Sequence, residues 1–145
     1  MIKIVIYFIQ SVFIYILFIL GSLMGLKLSR KIFSSLFELI GPIFKSKKII
    51  YKNLNYFSQS ISESEKENIV SNMWKNYGMT FIEYIFLDKF IKDKHHIEIT
   101  GEKNLKNIIE TNKPAIFVSG HFANFELMSM KIVNKNIQLA TIYRP

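Results

Sequence analysis

The longest regular pattern in the chain is an apolar one. From Ile4 to Leu26 there is no charged residue, and only Gln10, Ser11 and Ser22 introduce polar groups. As a helix this run extends roughly 33 Å at ~1.5 Å per residue, enough for a hydrocarbon core of about 30 Å. A cleaved signal peptide would carry a shorter apolar region and a small-residue cleavage site. Here Lys27, Arg30 and Lys31 follow directly, so residues 1–28 read as an uncleaved transmembrane anchor. From Lys31 to Phe44 the apolar residues Ile32, Phe33, Leu36, Phe37, Ile40, Ile43 and Phe44 recur at helical spacing. That spacing predicts an amphipathic helix, lying in the bilayer interface or against a core. Gly41-Pro42 is expected to bend or break it.

Ser62-Glu63-Ser64-Glu65 matches a capping box, with Ser at the N-cap and Glu three residues on. A helix is expected from there past Trp74 to about Tyr77, with a break at Gly78. A second apolar helix is predicted over Thr80 to Ile91, with Phe81, Ile82, Ile85, Phe86 and Phe90 inward. Lys92 to His96 reads as a polar connector, in which His95 and His96 are solvated. Residues 29–94 thus form a helical, membrane-proximal segment.

The pattern then changes. Ile97-Glu98-Ile99-Thr100 alternates like a strand and stops at Gly101. Asn104 to Glu110 reads as a short helix. Lys113-Pro114 introduces Ala115-Ile116-Phe117-Val118, an apolar run expected as a buried strand. Phe122 to Val133 reads as a helix and Ile137 to Tyr143 as a strand. The order β-α-β-α-β predicts a parallel sheet with crossover helices. The expected fold class is therefore α/β, in which residues 95–145 supply the first strands of a mostly parallel sheet. Three strands make a poor sheet, so the fold is expected to continue beyond Pro145.

Composition sharpens the membrane reading. Half of the 145 residues are hydrophobic, 13 are Phe and 7 are Tyr. The net charge is +8, carried almost wholly by Lys; the arginines are Arg30 and Arg144. An excess of Lys suits nucleic acid, an anionic bilayer or an acidic protein. The hydrophobic content selects the membrane. Trp74 and the Phe residues are assigned to core or membrane contacts, so no nucleic acid partner is expected. Lys27, Arg30, Lys31, Lys45, Lys47, Lys48 and Lys52 come after the anchor, against the single acid Glu38. The positive-inside rule places the rest of the chain in the cytoplasm. With no Cys, disulfides, thiolate metal sites and a Cys nucleophile are excluded.

The candidate chemistry lies in Val118-Ser119-Gly120-His121-Phe122-Ala123-Asn124-Phe125-Glu126. Five residues separate His121 from Glu126, about 500° of helix, so on one continuous helix they would not share a face. They can meet only if His121 sits in a turn before the helix and Glu126 reaches back. A carboxylate on one imidazole nitrogen would fix the tautomer and leave the other nitrogen to take a proton. Amide groups at the helix start could hold an oxyanion. Gly-x-Ser-x-Gly is absent around Ser119, which points away from a covalent acyl-enzyme. His-Glu-x-x-His is absent too, so a zinc site is not expected.

Gly120-His121-Phe122-Ala123-Asn124-Phe125-Glu126 resembles the His-x4-acid motif of glycerolipid acyltransferases. Its form is similar to that of the late acyltransferases of lipid A biosynthesis, the lauroyl and myristoyl transferases. The anchor, Asn53-Leu54 with Phe57, the helix carrying Trp74, Gly78 and Glu83, and the closing Tyr143-Arg144-Pro145 extend the resemblance. It covers nearly all of this chain but only about the first half of a family member, so an N-terminal fragment is expected. The resemblance implies an incomplete glycerolipid-acyltransferase-like fold. It implies transfer of an acyl chain from acyl carrier protein to a hydroxyl of a Kdo-bearing lipid A precursor. The site would face the cytoplasm at the bacterial inner membrane, beside a single-pass anchor. His121 would be the base and Glu126 its orienting partner. Arg144 would bind anionic substrate, and Asn124 would help hold the active-site turn. No cofactor or metal is implied. Transfer to another lipid acceptor, or a truncated, non-catalytic membrane-anchored interaction protein, are the alternatives.

Overall fold

A computed structural model describes residues 2–44, 46–92 and 96–142. The chain divides into two units, Met1–Phe86 and Leu87–Pro145.

In the first unit, α1 (Ile2–Phe44) contains the apolar run and is long and apolar enough to cross a membrane. It is not straight. Gly25 adopts φ 75° and ψ 165°, a conformation essentially reserved for glycine. The bend is large. In a straight helix Phe18 and Phe37 would lie about 28 Å apart. Here their rings lie 5.1 and 5.4 Å from the ring of Phe81. The buried Ser29 hydroxyl bridges the break, 2.6 Å from the Gly21 carbonyl oxygen and 2.7 Å from that of Gly25. Carbonyls that a broken helix exposes need such a donor in an apolar setting.

Helix α2 (Lys47–Phe57) begins at Ser46, whose hydroxyl accepts from the Lys48 amide at 3.2 Å. The hydrophobic pattern did not predict this helix. Helix α3 (Glu63–Glu83) starts at the predicted capping box. The Ser62 hydroxyl accepts from the Glu65 amide, and the Glu65 carboxylate accepts from the Ser62 amide. Ile50, Val70 and Trp74 form a buried cluster between α2 and α3, flanked by Tyr51, Leu54 and Met73.

Helices α1 and α3 run antiparallel and very close. A Cβ on Gly78 would collide with the Phe33 carbonyl oxygen, and one on Gly41 with the Trp74 indole. This explains two departures from the pattern. Gly78 does not break α3; it is the point at which α3 passes the backbone of α1. Gly41-Pro42 does not end the first helix either, because Gly41 packs under Trp74 and Pro42 occupies the final turn. The predicted helix over Thr80 to Ile91 is instead divided. Its start belongs to α3, its middle is a 3-10 turn at Tyr84–Phe86, and its end is the short helix α4 (Leu87–Lys92). Two ion pairs tie α1 to α3. Arg30 meets buried Glu83, Nη2 to Oε1 at 2.5 Å, and Lys75 meets Glu38 at 3.0 Å. A hydrogen bond from Ser71, then the bond and charge of Lys75, hold the Glu38 carboxyl below its usual range.

The second unit contains α4, α5 (Glu102–Thr111) and α6 (Glu126–Val133). Helix α4 packs on α6, with Phe90 and Ile132 buried. The expectation of an α/β fold is corrected here: no strand forms among the described residues. The segments expected as strands, 97–100, 115–118 and 137–142, run as irregular chain. Ile116 and Val118 are 93 % and 88 % exposed, so the middle segment is not buried. Parallel strands are stable when both faces are covered and every edge is paired. Only short helices are available in this unit, and an apolar run does not by itself specify the neighbour that completes its hydrogen bonds.

Two results are expected from unfolding of the full chain in detergent, monitored by helical circular dichroism. Gly78→Ala should destabilise by about 1–3 kcal/mol through overpacking against fixed backbone, and wild-type stability would contradict the close contact. Acidification should destabilise the protein. A carboxyl whose pKa is lowered on folding adds stability at neutral pH, lost as pH falls through its folded-state value. Glu38→Gln should therefore weaken the acid dependence.

Candidate active site

Residues 120–126 fold as a sequence of tight turns leading into α6. The Phe122 amide donates to the Gly120 carbonyl oxygen at 2.9 Å. That is a γ-turn with His121 at its centre. His121 has negative φ, so the turn is of the common inverse type. Ala123 then takes φ 46°, left-handed space that a non-glycine residue seldom occupies. Phe125 caps α6, and Glu126 is its first residue. The helix thus begins four residues later than the pattern predicts, because the turn extends through Ala123.

This places His121 outside the helix, the position from which it could approach Glu126. The imidazole is exposed, and Glu126 is half-buried. No hydrogen bond or ion pair joins the two side chains. His121 instead packs against Phe125, with ring centroids 4.4 Å apart and a tilt of 56°. The Asn124 carbonyl oxygen accepts from the Leu127 amide at 3.2 Å, and the Phe125 carbonyl from that of Met128 at 3.2 Å. Two amides that an anion could have used at the helix start are therefore engaged. Asn124 is half-buried. Arg144 lies outside the described residues.

Two lysines hold α6 in place, and neither was a candidate in the sequence. Lys131 Nζ donates to the Phe90 carbonyl oxygen of α4 at 3.2 Å. Lys135, just beyond α6, forms an ion pair with Glu102 at the start of α5. Both contacts are long-range, so no local spacing could have revealed them. The Phe125 contact was accessible in principle, because an aromatic four residues after a turn histidine is well placed to reach its ring. His96, expected to be solvated, is exposed but sets its ring edge-on to Phe90 at 5.6 Å. Among the described residues no cluster of His, Asp and Glu could hold a metal ion.

The geometry is an accessible imidazole on a constrained turn before a helix, with a carboxylate one helical position behind its aromatic neighbour. The family model of bacterial lipid A biosynthesis acyltransferases matches residues 1–145, the whole chain. The chain belongs to that family. No curated protein and no solved structure matches. Family membership makes this an acyltransferase of lipid A biosynthesis, with an acyl donor and a lipid acceptor. In the acyltransferase, the Gly120 to Glu126 segment presents the His121 imidazole exposed and outside the helix.

The strained turn yields a direct test. Ala123→Gly in the acyltransferase should be neutral or stabilising, because glycine adopts positive φ without strain. Ala123→Val should cost about 1–3 kcal/mol. Equal thermal stability of the two variants would contradict the left-handed turn.

Proposed function

We propose that the acyltransferase moves a fatty acyl chain from acyl carrier protein to a hydroxyl of a Kdo-bearing lipid A precursor. His121 acts as general base. Its imidazole takes the proton of the acceptor hydroxyl as that oxygen attacks the thioester carbonyl carbon. The resulting tetrahedral oxyanion collapses, the C–S bond breaks, and the proton passes from the imidazolium to the departing thiolate. The ester forms directly, with no acyl group on the protein. Glu126 orients the imidazole and stabilises its protonated form once a side-chain rotation brings them together. Apo catalytic contacts are often long and tighten only with substrate. Asn124 supports the turn, and Arg144 binds an anionic group of the substrate.

The observation that carries this reading is the family match over residues 1–145, which includes His121 and Glu126. The exposure of His121 and its place on a turn outside α6 support it further. Residues 1–28 anchor the protein in the inner membrane as a single span, residues 29–94 form the membrane-proximal helices, and residues 95–145 carry the catalytic turn. The positive residues after the anchor favour a cytoplasmic site, where acyl carrier protein is available.

The test uses the protein as its gene encodes it, in membranes, with acyl carrier protein thioester as donor. His121→Ala should lower kcat by about 10²–10⁴-fold while the protein stays in the membrane fraction. Arg144→Ala should raise KM for the acceptor with a smaller change in kcat. Undiminished turnover by His121→Ala would rule out the proposed base.

A further inference from the structure

The chain carries an apolar, mostly half-buried segment that neither the anchor nor the acyl-transfer site accounts for. From Met79 to Leu87 the chain is Met-Thr-Phe-Ile-Glu-Tyr-Ile-Phe-Leu, with Glu83 as the single charge. That charge is neutralised. Glu83 is buried and paired with Arg30, through Nη2 at 2.5 Å and Nε at 2.7 Å. The segment is the end of α3 and the 3-10 turn after it. Its neighbours on α1 include residues of the apolar run Ile4 to Leu26 as well as Arg30, Phe33 and Phe37 beyond the bend. A Cβ on Gly21 would collide with Ile82 and press on Ile85. Phe81 lies in the bend of α1, its ring 5.1 Å from that of Phe18. On its other side the same stretch of α1 faces outward as apolar surface, with Ile19 60 % and Leu23 80 % exposed.

We infer that Phe81 to Phe86 is a second membrane-embedded element, which enters the bilayer from one side, docked against Gly21 of the anchor. The partner is lipid. The inference rests on α1 being the membrane span. If Ile19 and Leu23 are at a depth where lipid covers them, Ile82 and Ile85 share that depth on the opposite side of α1. Small residues at such contacts let helices approach within a bilayer. A charge at that depth needs a partner, and Arg30 supplies it to Glu83. The 3-10 turn has looser backbone bonding than an α-helix and is tolerated there because it packs on protein. Tyr84, 41 % exposed, suits the boundary between hydrocarbon and headgroups. Asp88, Lys89 and Lys92 then return the chain to water.

The chain has no Cys, so single cysteines report without background. Nitroxide labels would be placed by Phe13→Cys in the anchor, Tyr84→Cys and Phe86→Cys in the embedded element, and Asn72→Cys on exposed α3. The full-length protein would be reconstituted in vesicles of phosphatidylethanolamine and phosphatidylglycerol. Collision with oxygen, which partitions into lipid, would be compared with collision with a water-soluble nickel chelate. Labels at 13, 84 and 86 should favour oxygen several-fold over the label at 72. Labels at 84 and 86 as open to nickel as the label at 72, with 13 protected, would overturn the inference and leave the anchor standing. A label at 13 open to nickel would remove the anchor reading and this inference with it. Gly21→Leu should shift the label at 84 toward water while 13 stays in lipid; no shift would contradict docking at Gly21.

Discussion

The first unit depends on one steric constraint: α1 and α3 approach so closely that glycine stands at three of their contact positions. Gly21, Gly41 and Gly78 each lie where a single added carbon would meet a neighbour. At Gly78 that neighbour is the backbone of Phe33, which cannot rotate aside. A glycine inside a helix costs up to about 1 kcal/mol relative to alanine. Burial of Phe33 and Ile82, at about 1.5–3 kcal/mol each, more than offsets it. Gly25 plays the opposite part. A Cβ there would meet nothing, so its role lies in the backbone angles that bend α1 around Phe81. The Arg30–Glu83 pair adds to this contact, since it compensates a buried carboxylate with a guanidinium that also reaches solvent.

These glycines also show what was legible in the sequence. The capping box at Ser62 states its own geometry, since both hydrogen bonds are local, and α3 starts where it predicts. The apolar run and the short helix near Asn104 were likewise readable from composition and period. A glycine is different. The same residue type marks a helix end, a bend or a close approach, and only the partner distinguishes them. Gly78 was expected to break a helix and instead packs it. Gly41-Pro42 was expected to bend or break one; the helix runs through it to Phe44, and its non-helical residue is Gly25. Strand formation was the largest misreading. Alternation and short apolar runs describe side chains, whereas a strand is defined by neighbours that complete its backbone hydrogen bonds. Ile116 and Val118 have the right pattern and no such neighbours among the described residues.

The candidate site was legible for a different reason. The motif from Gly120 to Glu126 is compact, and its family resemblance agrees with the family match over the whole chain. That His121 must leave the helix to approach Glu126 is a consequence of helical geometry, and the turn at His121 has that form. The strain at Ala123, the ring of Phe125 and the lysines that fix α6 were not legible, because each depends on backbone angles or on residues distant in sequence. The arrangement is an exposed imidazole on a short, constrained turn, a setting that suits the proposed general base.

As a lipid A biosynthesis acyltransferase, this protein is expected to add a fatty acyl chain to a lipid A precursor. Mass spectrometry of lipid A from cells depleted of the protein tests it most directly. The account predicts a species lighter by one acyl group, restored by the wild-type gene. Lipid A of unchanged acylation, with any mass loss confined to phospholipids, would contradict it.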